Sequence, residues 1–362
     1  MSVTLISSGD YLIETGPVQE SSLQEILTKV ENAKSKVFIL ADENSLKYCY
    51  PKLVTDVPSL SKAEILEIES GEDNKIMEIC LRIWQVLSEL QADRDSIMLN
   101  LGGGVITDLG GFIAGLYKRG IRFYNIPTTL LAMVDASVGG KTGIDLNNLK
   151  NQIGVFNPPD GVFIDPDFLK TLSKRQMMAG LAEMIKHALI ADRSYWTDIR
   201  KCDFSDHASW EKLIIPSVQI KNHIVASDPK EKGMRKILNF GHTIGHAIES
   251  YSMETAFGSL LHGEAVAAGI ICEAWLSHRF ENLSKPELNE ITDFITQNYS
   301  FYPMDELSHH RILELMKNDK KNKNNQINFT LLSTIGEATF DNFIAPSEIK
   351  NALKYYTAAY GK

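Results

Sequence analysis

The chain has no run of 18 or more apolar residues, so no membrane span is expected. Cysteine is scarce: Cys49, Cys80, Cys202 and Cys272 are scattered through 362 residues with no CxxC pair, which argues against a disulfide framework or a thiolate metal cluster. Basic residues are outnumbered, with 37 Lys and Arg against 46 Asp and Glu, giving a net charge of −9. An acidic chain is a poor general binder of nucleic acid or anionic membrane, so an anionic substrate has to be held by a local cluster of cations. No basic segment followed by an apolar stretch opens the sequence, and a cytoplasmic location is expected. Internal repeats and low-complexity segments are absent. The dinucleotide fingerprint G-x-G-x-x-G is missing, and the P-loop pattern fails because Asp135 stands where its first glycine belongs; nucleotide hydrolysis is therefore disfavoured.

What is present reads as two halves. Residues 36–41 form a short apolar run rich in β-formers, stopped by Asp42-Glu43-Asn44 and read as a buried strand. Asp42 at its end either meets a ribose hydroxyl or caps a helix. Residues 65–68, 96–101, 122–126 and 162–165 give further strands. The spacing of Ile76, Ile79, Cys80, Ile83, Trp84, Leu87 and Leu90 predicts a helix over 75–90. The strand at 96–101 runs into Gly102-Gly103-Gly104 and then a helix. Such a turn lets a ligand approach the backbone, and the helix N-terminus suits a pyrophosphate. Asp135, Ser137, Gly139, Gly140, Lys141, Thr142 and Gly143 crowd together as an expected anion cradle. The boundary falls near residue 173, giving a nucleotide-binding α/β domain over 1–173 and a helical domain over 174–362.

In the second half, Glu183 stands among Leu181, Ala182, Met184 and Ile185. A carboxylate in such surroundings is either paired, with Lys186 or His187, or bound to a metal. His242 and His246 lie four residues apart, so one helical face carries both, and His262 follows. If the helix runs unbroken through Gly241, Arg235, Asn239, His242 and His246 share that face. Gly263 to Ala274 is an Ala- and Gly-rich helix expected in an interior, and a polar basic loop at 318–325 precedes a strand over 327–332. These residues point to a two-domain, metal-dependent enzyme that uses a nucleotide cofactor on a small, anionic, oxygen-rich substrate. Its cations are Arg119, Lys141, Lys150, Lys186, Lys221 and Arg235.

Gly102-Gly103-Gly104-Val105 with Asp108, Pro127-Thr128-Thr129, Ser137-Val138-Gly139-Gly140-Lys141-Thr142-Gly143, Lys150-Asn151, Leu238-Asn239-Phe240-Gly241-His242 with His246, and His262-Gly263-Glu264 keep their order across most of the chain. Together they resemble the 3-dehydroquinate synthase family of sugar-phosphate cyclases. The resemblance implies an N-terminal Rossmann-like α/β domain, an all-α C-terminal domain and a site in the cleft between them. It implies the second step of the shikimate pathway, from 3-deoxy-D-arabino-heptulosonate 7-phosphate to 3-dehydroquinate and phosphate. NAD+ would oxidise the ring carbinol transiently, phosphate would leave by β-elimination, hydride would return, and an aldol step would close the carbocycle. Glu183, His242 and His262 would hold one zinc ion, which cobalt can replace, and His246 would handle protons and substrate. Lys141, Asn151, Lys186, Lys221, Arg235 and Asn239 would contact substrate, with Asp135 and Lys320 or Lys321 beside them. Arg119 would reach the phosphate from the partner subunit of a homodimer. NAD+ contacts would fall on Asp42, Ser70, Gly71, Glu72, Lys75, Gly103, Gly104, Val105, Asp108, Thr128, Thr129, Lys141, Lys150, Phe168 and Thr171.

This sequence departs from the family pattern at Thr107 and Leu149, each in place of glycine, at Asp145 in place of asparagine and at Pro229 in place of glutamate; the loop at 145–150 is where a different conformation is expected. Competing readings are a cyclase forming inosose or valiolone rings, a polyol dehydrogenase on the iron- and zinc-dependent alcohol dehydrogenase fold, and a catalytically dead paralogue without metal. Arg235, Asn239 and Lys150-Asn151 favour a substrate that carries a carboxylate.

Overall fold

The computed structural model describes residues 3–9, 11–146, 149–317 and 326–361. Its contacts divide the chain into two units, Met1–Ser173 with Lys221–Ala226, and Lys174–Ile220 with Ser227–Lys362. Among the described residues no helix is long and apolar enough to cross a membrane.

The first unit is built on a seven-stranded sheet in the order β1-β2-β9-β6-β5-β3-β4. Its strands are β1 (Thr4–Ser8), β2 (Tyr11–Thr15), β3 (Val37–Asp42), β4 (Glu64–Ile68), β5 (Ile97–Gly102), β6 (Arg122–Pro127) and β9 (Gly161–Ile164). All pairs are parallel except β1 with β2. The parallel core, β4-β3-β5-β6-β9, has the doubly wound order in which the chain reverses direction between β3 and β5. Ligands bind outside the carboxyl ends of strands at such a switch point, and there Asp42 ends β3 and Gly102–Gly104 follow β5. Helices α1 (Leu23–Asn32), α2 (Glu43–Tyr48), α3 (Tyr50–Asp56), α4 (Met77–Glu89) and α5 (Gly104–Leu116) complete the unit, with the hairpin β7 (Lys141–Leu146) and β8 (Leu149–Phe156).

Every residue of β5 is buried, which is why its sequence reads as a continuous apolar run. Its one amide, Asn100, donates from Nδ2 to Asn125 Oδ1 on β6 at 2.9 Å, and Asn125 Nδ2 donates to the Ser137 carbonyl at 3.2 Å. The sheet interior thus holds the turn that follows Asp135. Gly110 on α5 makes room for Asn100, since a Cβ there would lie 2.0 Å from its Oδ1.

The second unit comprises α6 (Lys174–Ala191), α7 (Arg193–Lys201), most of α8 (His207–Ser227), α9 (His242–Met253), α10 (His262–Phe280), α11 (Lys285–Asn298), α12 (Glu306–Lys317), the antiparallel hairpin β10 (Ile327–Thr334) and β11 (Glu337–Ile344), and α13 (Pro346–Tyr360). Among the described residues its regular elements are helices apart from that hairpin. Helix α10 is its axis, packed by α6, α9, α11 and α13. Its small residues explain the packing: a Cβ on Gly269 would lie 2.0 Å from the Gly241 carbonyl oxygen, so only glycine allows α9 this close.

The stretch expected to cradle an anion, 133–143, is a π-helical turn, Ala132–Ala136, leading into the β7–β8 hairpin. Two expectations need correction. The helix through Gly241 is broken. A 3₁₀ segment, Met234–Asn239, ends before it, Gly241 takes φ +78°, and α9 starts afresh at His242. A Cβ on Gly241 would also lie 2.5 Å from Ile270 Cγ1, so the break requires glycine. Arg235 and Asn239 therefore do not continue the helical face of His242 and His246. Finally, Lys221 and its neighbours, the end of α8, pack with the first unit rather than the second.

Glu287 ties three parts of the second unit together. It accepts hydrogen bonds from Ser284, Thr334 and the Ile335 N–H, and pairs with Arg193. Burial works against its charge, but the Thr334 and Ser284 bonds outweigh that and pull the carboxyl down to about 2. A depressed carboxylate stabilises the fold above its unfolded pKa and loses that effect as pH falls through the folded value. Glu287→Ala should lower the unfolding temperature at pH 7, and the gap to wild type should shrink as pH falls from about 4.5 toward 2, as thermal melts in a pH series will report.

Candidate functional site

In the second unit, the start of α9, the start of α10 and the middle of α6 converge. Glu183 on α6 is fully buried. His242 Nε2 lies 3.4 Å and His262 Nε2 3.3 Å from the same oxygen, Glu183 Oε1. Lys186, one turn along α6, pairs with Oε2. Among the described residues, neither Glu183 oxygen accepts a contact with hydrogen-bond geometry. Two ring nitrogens facing one buried carboxylate oxygen, without hydrogen bonds between them, is an arrangement for a shared cation. Zinc bonds of about 2.0–2.1 Å at tetrahedral angles place ligand atoms about 3.3 Å apart, which matches both separations.

The other ring nitrogens are anchored. His242 Nδ1 lies 3.1 Å from the Phe240 carbonyl, and His262 Nδ1 lies 3.3 Å from Glu249 Oε2. A proton fixed on Nδ1 leaves the Nε2 lone pair available. The two rings differ in charge. Burial pushes the His242 imidazole down, toward the neutral form that ligates metal. At His262 burial acts the same way, but Glu183 and Glu249 outweigh it and raise the ring to about 10. The site thus stabilises positive charge at His262, and a cation binding there would displace a proton from that ring. Glu183 itself is held well below the usual carboxylate range, since Lys186 and His242 outweigh its burial.

His246 is exposed on α9, its ring centre 5.1 Å from that of His242 and 5.6 Å from that of His262. One ring nitrogen from each of the three lies within 4.8 Å of the others. Around His242 and His262, two donor sets can thus be drawn among the described residues, one with Glu183 and one with His246. The set with Glu183 is buried and has both histidines oriented by their second nitrogens.

Arg235 and Asn239 lie in the preceding 3₁₀ segment. Asp228 accepts the N–H groups of Lys232, Gly233 and Arg235 and so shapes this stretch. The carbonyl of Pro229, a departure from the family pattern, accepts from Arg235 Nη1 at 2.8 Å. Asn239 Nδ2 donates to Glu231 Oε1 at 2.9 Å. Glu264 fastens the start of α10, accepting from the Leu261 N–H and from Arg175.

In the first unit, Lys75 is buried and donates to Asp108 Oδ2 at 2.6 Å and Asn151 Oδ1 at 2.7 Å. Burial opposes its charge, but Asp108 and Glu72 hold it above the ordinary lysine value. Asn151 takes φ +53°, and its N–H donates to Asp145 Oδ1 at 2.7 Å. The aspartate in place of asparagine therefore fixes the residue that the family pattern assigns to substrate. Lys221 Nζ lies 2.6 Å from both Asp135 Oδ1 and the Asp135 carbonyl. Lys141 opens β7, exposed, and Lys150 is half-buried in β8.

The glycine turn fits a nucleotide. Gly103 is the N-cap of α5 and has no side chain to bond the first-turn N–H groups; a Cβ there would lie 3.1 Å from Thr129 Cγ2. Val105 is half-buried in that first turn, Thr107 turns its hydroxyl to the Gly104 carbonyl, and Thr128 donates its N–H to the Gly102 carbonyl. Asp42 caps α2 through the Ser45 N–H at 2.7 Å, the second of the two readings open for it. The hydroxyl and N–H of Ser70 both donate to Glu43, and Gly71 takes φ +110° ahead of Glu72. Phe168 is core, and Thr171 donates to its carbonyl. Arg119 is exposed in the left-handed turn Lys118–Gly120. Lys320 and Lys321 lie outside the described residues.

Two buried carboxylates, Glu249 and Glu273, were not singled out by sequence reasoning. Glu273 sits inside the apolar run of α10, the same signal that drew attention to Glu183.

Comparison with known proteins follows the same lines. The family model for the N-terminal part of 3-dehydroquinate synthase matches residues 65–179, and that for the C-terminal part matches 180–322. The 3-dehydroquinate synthase of Parabacteroides distasonis is 44% identical over 94% of this chain and 96% of its own length. That of Campylobacter jejuni subsp. doylei is 35% identical over 94% of this chain and 98% of its own. Among solved structures, 2-deoxy-scyllo-inosose synthase superposes with a TM-score of 0.82 at 23% identity over 98% of this chain and 99% of that one. The 2-epi-5-epi-valiolone synthase of Streptomyces hygroscopicus, solved with NAD+ and Zn2+ bound, superposes at 0.80 with 24% identity over 99% of each chain. These two establish a shared fold. Matched by both family models in sequence and by relatives that align along nearly all of it, the chain belongs to the 3-dehydroquinate synthase family.

Proposed function

We propose that the chain converts 3-deoxy-D-arabino-heptulosonate 7-phosphate to 3-dehydroquinate and phosphate, acting as a phosphate lyase of the shikimate pathway. The observation that carries the reading beyond family membership is the convergence of His242 Nε2 and His262 Nε2 on Glu183 Oε1. When bound, NAD+ supplies reversible hydride transfer at the substrate carbinol, and a divalent ion such as zinc or cobalt polarises its oxygen. Glu183, His242 and His262 would hold the ion, and the turn at Gly103–Gly104 with the N-terminus of α5 would hold the pyrophosphate of the nucleotide.

The remaining roles belong to the chain's own cations and proton carriers. Lys186 keeps Glu183 ionised and presents an ammonium to substrate oxygens. Arg235, held through its N–H by Asp228 and through Nη1 by Pro229, presents a guanidinium suited to a carboxylate. Asn239 and Asn151 supply amides, and Lys141, Lys150 and Lys221 supply charge for an anionic substrate. His246, exposed beside the two ligand rings, takes and returns protons during the reaction. Asp135 holds Lys221. Arg119 serves as a phosphate contact donated across a homodimer, and the enzyme works in the cytoplasm.

Incubating purified enzyme with heptulosonate phosphate and NAD+ should release phosphate without net accumulation of NADH, and a chelator should stop it. Turnover of sedoheptulose 7-phosphate or glucose 6-phosphate in its place would assign the chain to a different cyclase reaction. Accumulating NADH would identify a dehydrogenase.

A further inference from the structure

Helices α9 and α10 each begin on a histidine of the candidate centre. Each also carries, further along, a buried glutamate that reaches the beginning of the other. Glu249, two turns along α9, places Oε2 3.3 Å from His262 Nδ1. Glu273, three turns along α10, accepts the Gly241 N–H on Oε2 at 2.7 Å and the Ile244 N–H on Oε1 at 2.9 Å. Both side chains are almost free of solvent contact. Buried carboxylates are costly, and glutamates seldom occupy a helix–helix seam that alanine or leucine would fill as well. Here each oxygen in use is directed at a group that sets the attitude of a histidine.

The two devices differ in kind. Glu249 grips the ring of His262 itself. An Nδ1 proton shared with a carboxylate fixes the tautomer, turns Nε2 toward Glu183 and strengthens it as a donor. Glu273 grips backbone. Gly241 is left-handed, and its N–H together with that of Ile244 lies at the positive end of α9. Holding both fixes the first turn of the helix, and His242 lies between them in sequence.

We propose that Glu249 and Glu273 are positioning residues for the metal centre, each borne on one helix and orienting the ligand histidine of the other. This rests on the reading of Glu183, His242 and His262 as a metal site. The close packing of Gly241 against Gly269 already holds the helices together, so losing either carboxylate should affect metal binding more than folding.

The test compares wild type with Glu249→Ala, Glu249→Gln and Glu273→Gln. Three quantities are measured: zinc affinity by competition with a chromophoric chelator, the visible spectrum of the cobalt-loaded protein, and the unfolding temperature of the metal-stripped protein. Glu249→Ala should weaken zinc binding about 10- to 100-fold. Glu249→Gln keeps an oxygen that accepts from Nδ1 and should recover part of that loss. Glu273→Gln brings an amide NH2 against a backbone N–H and should weaken zinc binding about tenfold, with a changed cobalt spectrum. If Glu249→Ala fails to fold, the equal-sized Glu249→Gln decides the question. Wild-type affinity and spectrum in the variants, with only the metal-free unfolding temperature lowered, would reduce both carboxylates to helix fasteners and overturn the proposal. Failure of the wild type to bind zinc or cobalt would instead overturn the metal-site reading on which it rests.

Discussion

Replacing His262 by alanine should abolish metal retention and lower turnover by about three orders of magnitude or more, while nucleotide binding persists. A bound cation contributes several kcal/mol of transition-state stabilisation, at about 1.4 kcal/mol per tenfold in rate. With the ring gone, Glu183 Oε1 keeps only His242 as a nitrogen partner for an ion, and catalytic zinc sites use three protein ligands. Lys186 continues to pair with Oε2, so the carboxylate is not left as an isolated buried charge and the second unit should still fold. The nucleotide turn at Gly103 belongs to the first unit. Elemental analysis, NAD+ titration and a thermal melt separate these effects. His246→Ala is the companion variant. It should keep the metal and lose about 100- to 10,000-fold in turnover, the usual worth of a positioned proton carrier. Metal loss in both His262→Ala and His246→Ala, with zinc kept in Glu183→Gln, would replace the ligand set containing Glu183 by the one of His242, His246 and His262, and full zinc in His262→Ala would overturn both sets.

Much of this centre was legible in the sequence, and the parts that were not share a cause. The parallel strands β3, β5, β6 and β9 were readable because most of their residues are buried on both faces, as in β5, where apolarity is continuous, and the edge strand β4, with Ile65 and Glu67 exposed, was readable from its isoleucines and leucine alone. The hairpins β1–β2 and β7–β8 and the strand β11 were not, because their strands are partly exposed and lack such runs. Glu183 announced itself as a charge among apolar neighbours. Glu273 carries the same mark, but its partners are backbone N–H groups more than 25 residues away, and backbone groups leave no trace in a sequence. Glu249 lies on the same face of α9 as His242, yet its partner is on the next helix. Periodicity put Arg235 and Asn239 on one face with His242 because a glycine inside a helical pattern is usually tolerated; the left-handed φ of Gly241 is a tertiary fact, adopted where Ile270 on α10 leaves no room for a Cβ. Lys221 lies in the second half of the sequence and packs with the first unit, an arrangement that no local pattern encodes.

Gly263→Ala should damage the second unit severely. The added carbon would stand 1.9 Å from the Ala179 carbonyl oxygen, 2.5 Å from its carbon and 2.6 Å from its Cα. All three are backbone atoms of α6, so no side chain can rotate away, and relief requires α10 and α6 to separate. Ala179 lies one turn before Glu183, and Gly263 follows His262 directly. Separating the helices therefore opens the 3.3 Å contact between ring and carboxylate on which the metal reading rests. Overpacking of this kind costs about 1–3 kcal/mol, which for a unit of this size lowers the unfolding temperature by roughly 2–10 °C. Zinc affinity should fall at least about tenfold, since ligands misplaced on rigid helices cannot both reach one ion. The sign is the informative part. Alanine in place of a helical glycine with open space around it ordinarily stabilises, by about 0.5–1 kcal/mol. Gly361, the C-cap of α13, whose added Cβ would make only ordinary contacts at 3.7 and 3.9 Å, supplies a clash-free control in which alanine should leave the melt close to that of the wild type. A Gly263→Ala protein that melts at or above the wild-type temperature and keeps its zinc would mean that α6 and α10 do not approach as closely as described, and that the pairing of Glu183 with His262 needs another explanation.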